Sequence, residues 1–165
     1  MDEIRFFWIF LCFLLSFWRG LPAAAFLTLC ADGVFLFTEQ YAVGMAFFLF
    51  VQWAYLCNLN GTAFLWRWLL LLPFIGFLQP FVLGFGYAAL FLRHFLLAWQ
   101  RKQAQPACKL YLFGLVLFLC CDMLVVWGYL VSPVPDLVWL FYAPSQLFLA
   151  LTASAVRERC VTPRA

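Results

Sequence analysis

Seven apolar segments, separated only by short polar or proline-containing breaks, make up almost the whole chain. The segments are Ile4–Trp18, Leu21–Thr38, Ala42–Cys57, Phe64–Leu78, Phe81–Trp99, Leu110–Val131 and Leu137–Val156. A helix needs about 20 mostly apolar residues to cross a bilayer, and several of these segments are shorter. Local thinning of the bilayer and flanking side chains that reach the interface can absorb such a mismatch. The sequence therefore predicts an all-α fold: a polytopic membrane bundle of about seven transmembrane helices.

The composition indicates that lipid rather than water surrounds this chain. Of its 165 residues, 68% are hydrophobic and 10% are charged, whereas soluble domains have about 45–50% apolar and about 25% charged residues. Backbone groups in hydrocarbon must pair within their own segment, which requires helices, and the alternating strands of a barrel do not occur. No small-residue cleavage site follows the first segment, which argues against a cleavable signal peptide. We predict one transmembrane domain over residues 1–165.

The residues that carry metal, redox or nucleic-acid chemistry are scarce. His94 is the only histidine, and the seven cysteines contain no CxxC pair and lie mostly in apolar segments, where a thiol behaves as a small hydrophobe. We therefore expect no disulfide framework, no metal site and no cofactor. Arg93-His94 lies near the end of the fifth segment and is expected to reach toward the membrane interface. The net charge of +3 comes from residues distributed along the chain and does not indicate nucleic-acid binding.

Basic residues are distributed unequally between the two sides of the predicted bundle. If the segments alternate in direction, one side receives Arg19, Arg101, Lys102, Lys109, Arg157, Arg159 and Arg164. The other side receives Arg5, with Asp2, Glu3, Glu39 and Asp136. Because cytoplasmic loops are enriched in Lys and Arg, we predict a multi-pass protein of the cell membrane with a cytoplasmic C-terminus. The N-terminus then lies outside, which suggests an eight-helix parent without its first helix.

Two aspartates interrupt apolar segments in similar sequence contexts. Leu29-Cys30-Ala31-Asp32 matches Leu119-Cys120-Cys121-Asp122, and the next segment in each case carries a glutamine among aromatic residues, Gln52 or Gln146. The two aspartates lie in the second and the sixth segment, which are four apart in order, so both copies cross the membrane in the same direction. This order suggests a parallel internal duplication with a pseudo-axis along the membrane normal.

These polar residues are expected at similar depths. Counted at 1.5 Å per residue from the cytoplasmic ends, Asp32, Asp122 and Gln146 are about 16, 20 and 15 Å deep, and Gln52 is nearer the cytoplasmic surface. We expect the first three to meet in one polar pocket open toward the inner leaflet. A carboxylate at mid-membrane costs about 2.5–3.5 kcal/mol, whereas a hydrogen bond between membrane helices returns about 0.6 kcal/mol. This difference favours a functional role for both aspartates.

Four motifs occur in order within residues 8–156. They are Asp32 with its apolar flanks, Gly44-x-x-x-Phe48-x-x-x-Gln52-x-x-Tyr55, Phe118-x-x-x-Asp122 and Tyr142-x-x-x-Gln146. Together they resemble the YhhN-like lysoplasmalogenase family, whose members are eight-helix membrane hydrolases that cleave the vinyl ether of lysoplasmalogens. The chain departs from the family at Gln52, where the usual pattern has histidine. We also expect the chain to be without a counterpart of the family's first helix, in agreement with the outside N-terminus predicted above.

The resemblance implies an ether hydrolase, and two aspartates suit that chemistry. Protonation of the vinyl β-carbon creates an oxocarbenium ion, which water captures; the products are a fatty aldehyde and a glycerophospho-base. The acid must still be protonated near neutral pH, a state that burial and a nearby carboxylate both favour. Glycosidases meet a related problem with two carboxylates. We therefore predict Asp32 and Asp122 as catalytic residues, with substrate-binding or positioning roles for four others: Gln146, Tyr142, Gln52 and Tyr55.

Two other classes of function stay open from the sequence. Membrane carboxylates also relay protons, and parallel repeats are common in small transporters, so a transporter or proton-coupled carrier is one alternative. A catalytically inactive family member with a structural or lipid-binding role is the other. Aldehyde release in detergent distinguishes the hydrolase from both. The expected partners are membrane lipid and, for the hydrolase, a lysophospholipid substrate.

Overall fold

The described part of the chain is mostly helical and contains no strand. The computed structural model describes residues 2–38, 40–75, 79–101, 106–132 and 135–161. These residues form α1 (Asp2–Trp18), α2 (Pro22–Phe37), α3 (Tyr41–Leu59), a 3-10 helix (Trp66–Leu71), α4 (Leu72–Ile75), α5 (Pro80–Arg101), α6 (Pro106–Leu130) and α7 (Pro135–Val161). The all-α prediction is confirmed.

Proline and glycine mark the helix boundaries. The helices α2, α5, α6 and α7 each begin with proline, whose fixed φ suits the first helical position and whose missing N–H costs nothing there. Gly20 follows α1 with a φ of 80°, and Gly61 lies just after α3 with a φ of 68°. This left-handed conformation is one that glycine adopts readily. These residues therefore start and end helices within a sequence that is apolar almost throughout.

The six longer helices pack in a ring. α1 contacts α2, α2 contacts α3, α3 contacts α5, α5 contacts α6, α6 contacts α7, and α7 closes the ring on α1. α3 also contacts α7 across the interior. The contact between α6 and α7 is the most extensive, and it is close: a Cβ at Gly114 would lie 3.0 Å from the Phe148 Cβ. The contact between α5 and α6 is the least extensive in the ring.

Polar and apolar side chains are distributed as a lipid environment requires. Many large hydrophobic side chains face outward, among them Trp18, Phe74, Phe85 and Leu130. The described interior instead contains nine buried polar or charged side chains: Ser16, Thr28, Asp32, Gln52, Asn58, His94, Ser145, Gln146 and Thr152. Since water favours the opposite arrangement, this distribution is typical of a membrane protein.

Three helices within the described residues are long and apolar enough to cross a membrane. They are Tyr41–Leu59, Phe81–Gln100 and Pro106–Gly128; Ala23–Phe37 is apolar but shorter. The chain is therefore a membrane-associated helical protein, and three spans are supported where the sequence predicts seven. The prediction of one domain over residues 1–165 stays a prediction.

The prediction that the fourth apolar segment, Phe64–Leu78, forms one continuous α-helix is wrong. Its described part forms the 3-10 helix followed by α4, and residues 76–78 lie outside the described residues. An α-helix over this segment would extend only about 22 Å, against a hydrocarbon core of about 30 Å. A 3-10 helix rises about 2.0 Å per residue and so reaches farther with the same number of residues.

The fourth segment connects α3 to α5, and these two helices run parallel to each other. Phe48 of α3 packs on Tyr87 of α5, with 6.2 Å between ring centroids, and farther along both helices Gln52 hydrogen-bonds His94. Residue numbers therefore rise in the same direction along α3 and α5. Two successive parallel helices require a connection that runs back from one end of the ring to the other.

Candidate functional site

Two aspartate–tyrosine hydrogen bonds lie inside the ring. Asp32 on α2 accepts a hydrogen bond from the Tyr142 hydroxyl on α7. Asp122 on α6 accepts one from the Tyr87 hydroxyl on α5, with 2.6 Å between Oη and Oδ2. A phenolic hydroxyl donates to a carboxylate and can instead accept from a carboxylic acid. Each tyrosine can therefore stabilise its aspartate before and after a proton transfer.

The two aspartates differ in burial. Asp32 is buried, with 7% of its surface exposed, whereas Asp122 is half-buried. The Cys12 thiol and the Tyr55 hydroxyl lie within electrostatic range of Asp32. Cys121, the neighbour of Asp122 in the chain, is within electrostatic range of both carboxyl groups. Both aspartates therefore belong to one region of the interior.

Phe118 fills space between the two aspartate–tyrosine pairs. Its ring packs on Tyr142, with 5.7 Å between centroids, and on Phe48, with 6.2 Å between centroids; Phe48 in turn packs on Tyr87. Phe118 lies one turn before Asp122 on α6, so its ring is beside both pairs. The prediction that the two carboxyl groups lie at nearly the same depth stays a prediction.

A third set of buried polar groups surrounds His94. Its Nδ1 lies 2.8 Å from Gln52 Oε1, and its Nε2 lies 2.7 Å from Tyr111 Oη. Tyr55 stacks on the imidazole, with 5.3 Å between centroids and 16° between planes. The expectation that His94 reaches the membrane interface is wrong, because α5 continues for about two turns beyond it and His94 is fully buried. Its neighbour Arg93 is exposed.

Gln52 connects this set to Asp122. Its side chain hydrogen-bonds His94 and also interacts with the Tyr87 hydroxyl, which in turn donates to Asp122. Tyr111 on α6, His94 on α5, Gln52 on α3 and Tyr87 on α5 therefore form a continuous chain of polar groups that ends at Asp122. All of these groups can donate or accept hydrogen bonds, so the chain can orient protons over several side chains.

A small cavity lies one turn from the Asp32–Tyr142 pair. Its polar lining residues are Cys12, Ser16, Thr28, Tyr55 and Gln146. Thr28 is one turn before Asp32 on α2, and Gln146 is one turn after Tyr142 on α7, which places the cavity beside the pair. Its volume is about 10 Å³, about the room that one water molecule needs. The cavity can therefore hold water but is far too small for a lipid.

The predicted site residues lie in this interior, in two groups. Around Asp32 lie Tyr142, Tyr55 and Gln146; Gln52 belongs with Asp122, to which it is linked through Tyr87. The cavity beside Gln146 has room for about one water molecule, and the predicted single pocket that joins Asp32, Asp122 and Gln146 stays a prediction. The roles assigned to these residues stay predictions.

Sequence reasoning missed Tyr87, His94 and Tyr111. The signal for the first two was the periodicity of α5, because Leu83, Phe91, His94 and Ala98 are buried and Tyr87 continues their spacing of three or four residues. That spacing defines one face of a helix. Applied to the fifth segment, it would have placed His94 on the inner face despite the adjacent arginine. For Tyr111 the sequence offers no comparable signal.

The chemistry that these groups can perform is acid–base chemistry. Two carboxyl groups, four phenols and one imidazole lie among apolar side chains, and proton transfer is what such groups have in common. Within the described residues, no group of three His, Cys, Asp or Glu side chains is arranged to hold a metal ion. The expectation that no cofactor is needed stays a prediction.

Comparison with known proteins assigns no family to this arrangement. Neither a family model, nor a curated protein, nor a solved structure matches the chain.

Proposed function

We propose that this chain is a membrane hydrolase of the lysoplasmalogenase type, which converts a lysoplasmalogen into a fatty aldehyde and a glycerophospho-base. The observation that carries the proposal is the pair of interior aspartates, each hydrogen-bonded to a tyrosine hydroxyl inside an apolar ring of helices. Membrane helices rarely contain carboxyl groups without a function, because each is costly to bury. The similarity of the ordered motifs to the YhhN-like family supports the same reaction, with lysophospholipid as substrate and no cofactor.

The reaction needs one acid and one base. The first aspartic acid donates its proton to the β-carbon of the vinyl group; the C=C electrons form the new C–H bond and leave an oxocarbenium ion. The second aspartate stabilises this cation and takes a proton from the attacking water, which gives a hemiacetal. In the collapse of the hemiacetal, the first aspartate takes the hydroxyl proton and the second returns its proton to the glycerol oxygen. Both groups are then restored, as in other paired-carboxylate mechanisms.

The neighbouring polar residues position these groups. Tyr142 and Tyr87 orient the two carboxyl groups through their hydroxyls. Gln146 and Tyr55 line the cavity beside Asp32, where an ordered water would have the two to four polar partners that such a water needs. An amide is neither an acid nor a base near neutral pH, so the proposed role of Gln146 is to position water or the glycerol oxygen.

Substrate entry requires helices to separate, because the cavity beside Asp32 has room for about one water molecule. The contact between α5 and α6 is the least extensive in the ring, and Asp122 and Tyr87 meet across it. Lipid surrounds the ring, so a lysolipid can approach this contact without leaving the membrane. We place entry of the vinyl ether between α5 and α6.

The proposal includes the membrane topology: seven crossings, an outside N-terminus, a cytoplasmic C-terminus and a parallel internal duplication. The Arg5–Asp136 ion pair, 2.8 Å between Nη2 and Oδ1, supports it by joining the start of α1 to the start of α7. At the other end, Arg19 donates to the Leu151 carbonyl at 3.3 Å. α1 and α7 therefore run in the same direction, as an odd number of crossings from the first to the seventh segment requires.

Reporter fusions test the topology. A fusion at Ala165 and a reporter inserted at 103–107 are both expected to report the cytoplasm, because Lys and Arg residues flank both positions. A reporter inserted after Ser132 is the matched control and is expected to report the outside. An external signal at either of the first two positions contradicts the topology.

Aldehyde release tests the activity. Purified protein in detergent is expected to release fatty aldehyde from a lysoplasmalogen, measured by coupled aldehyde oxidation. The control substrate is the matching lysolipid with a saturated ether, which has no C=C bond to protonate and is expected to stay intact. If no lysoplasmalogen of any headgroup class yields aldehyde, the proposed activity is wrong.

A proton-coupled carrier is the second candidate, favoured by the polar chain that runs from Tyr111 to Asp122. Intramembrane carboxyl and imidazole groups in such chains relay protons in pumps and transporters. Proton uptake into liposomes that disappears in Asp122→Asn, without aldehyde release by the unmodified protein, would favour the carrier.

A further inference from the structure

We infer that the two aspartates hold different protonation states, with Asp122 as the carboxylate and Asp32 as the carboxylic acid, and that His94 maintains this difference through Gln52 and Tyr87. The catalytic consequence rests on the proposed function: Asp32 is then the acid that protonates the vinyl carbon, and Asp122 is the base. His94 is a positioning residue in this scheme.

His94 fixes the orientation of the Gln52 amide. Gln52 Oε1 can only accept, so His94 Nδ1, 2.8 Å away, must be the donor. In a neutral imidazole Nε2 is then the acceptor, and it receives the Tyr111 hydroxyl at 2.7 Å. The ring has little freedom to turn, because His94 is fully buried and stacks on Tyr55. The oxygen of the Gln52 amide therefore faces His94.

The amide nitrogen of Gln52 is then the group that faces Tyr87. The Gln52 side chain interacts with the Tyr87 hydroxyl, and an amide N–H can only donate, so Tyr87 Oη accepts. A hydroxyl carries a single hydrogen, and Asp122 Oδ2 lies 2.6 Å away to receive it. Asp122 is thus presented with a donor. A donated hydrogen bond stabilises the charged form of a carboxyl group over the neutral form.

Among the described residues, no such series of polar groups fixes the direction of the tyrosine hydroxyl that contacts Asp32. The Tyr142 hydroxyl is its hydrogen-bond partner, and no amide or imidazole donates to that hydroxyl in the described hydrogen bonds. Tyr142 can therefore turn its hydrogen away and accept the proton of Asp32. Asp122 lies in the same interior region, and its negative charge disfavours the ionised form of a second carboxyl group. The proton is therefore on Asp32.

Infrared spectroscopy of the purified protein, without substrate, tests this assignment. A protonated aspartic acid has a C=O stretching band that a carboxylate lacks. At neutral pH we expect one such band, absent in Asp32→Asn and present in Asp122→Asn. The reverse pattern would overturn the assignment, as would two bands or none in the unmodified protein.

Two further variants keep the test decisive if an asparagine variant fails to fold. His94→Phe keeps a ring to stack on Tyr55 but has no nitrogen, so the Gln52 amide can turn its oxygen toward Tyr87 and take its hydrogen. Asp122 then loses its donor, and a second carboxylic acid band is expected. Gln52→Leu should have the same effect. Thr152→Val is the control, because it removes a buried hydroxyl that donates to the Phe148 carbonyl, outside this chain, and should leave one band.

The outcomes separate this inference from the proposed function. If His94→Phe and Gln52→Leu both keep a single unchanged band, the positioning role of His94 is wrong, whatever the turnover. If the expected bands appear but no lysoplasmalogen yields aldehyde, the protonation difference stands and the hydrolase proposal fails. If aldehyde is released while the band belongs to Asp122, the inference fails alone.

Discussion

Asp32→Asn and Asp122→Asn are each expected to lower aldehyde release by at least about 100-fold, the lower end of the usual contribution of a general acid or base. Asparagine keeps the size of aspartate and its capacity for hydrogen bonds. It can neither donate a carboxylic proton nor carry a negative charge, so both proton transfers of the mechanism are lost. The measurement is initial aldehyde release at saturating lysoplasmalogen, with helix content followed by circular dichroism.

Asp136→Asn is the matched control for this pair. Asp136 is exposed at the start of α7, where it pairs with Arg5, so its loss should change turnover little. In the proposed mechanism protonation at carbon is the slow step, so the unmodified protein should also work more slowly in D₂O. If both interior variants keep the turnover of the unmodified protein while folded, the paired-carboxylate mechanism is wrong, whatever the chain resembles.

The sequence was sufficient to find the two aspartates, and the reason is physical. In a chain with 10% charged residues, a carboxyl group inside an apolar segment has no water to solvate it, so it must have partners in the interior. The structure supplies such a partner for each one, Tyr142 for Asp32 and Tyr87 for Asp122. Helical character was equally predictable, because hydrocarbon leaves the backbone no other partner than itself.

The partner of Asp122 could not be predicted, because the two halves are not equivalent in detail. Tyr142 lies four residues before Gln146, and Phe48 lies four residues before Gln52. A duplication predicts that Phe48 would serve Asp122 as Tyr142 serves Asp32, but phenylalanine has no hydroxyl. Tyr87 packs on Phe48 and supplies the missing group from α5. Which helix supplies the hydroxyl depends on how the helices pack. The spacing of residues within one segment does not reveal that packing.

The depth of a residue was also hard to predict where a segment ends in polar residues. His94 lies near the end of the apolar segment, yet it is on the buried face of α5 with Leu83, Phe91 and Ala98. The fourth segment failed for a related reason: length alone favours an α-helix, but a short segment that must reach across the ring uses a 3-10 helix instead. In both cases the contacts of the finished ring decide what local composition leaves open.

Tyr87→Phe and Tyr142→Phe are each expected to lower aldehyde release by about 10- to 100-fold, less than the aspartate variants. Each removes one hydrogen bond to a carboxyl group, and bonds to charged groups contribute about 1.5–3 kcal/mol, where 1.36 kcal/mol corresponds to a tenfold change in rate. The carboxyl group itself remains, so residual turnover should be measurable. Initial rates at saturating substrate, compared with the same rates for the asparagine variants, give the ranking.

Tyr41→Phe is the control for these two variants, because Tyr41 is exposed at the start of α3 and lies outside the interior polar groups. Its hydroxyl has no part in the mechanism, so its loss should leave turnover unchanged. If Tyr87→Phe or Tyr142→Phe matches the unmodified protein, that tyrosine does not orient its aspartate during the reaction. If one of them is instead as inactive as the asparagine variants, that hydroxyl takes part in proton transfer itself, and the two-aspartate mechanism must be extended to include it.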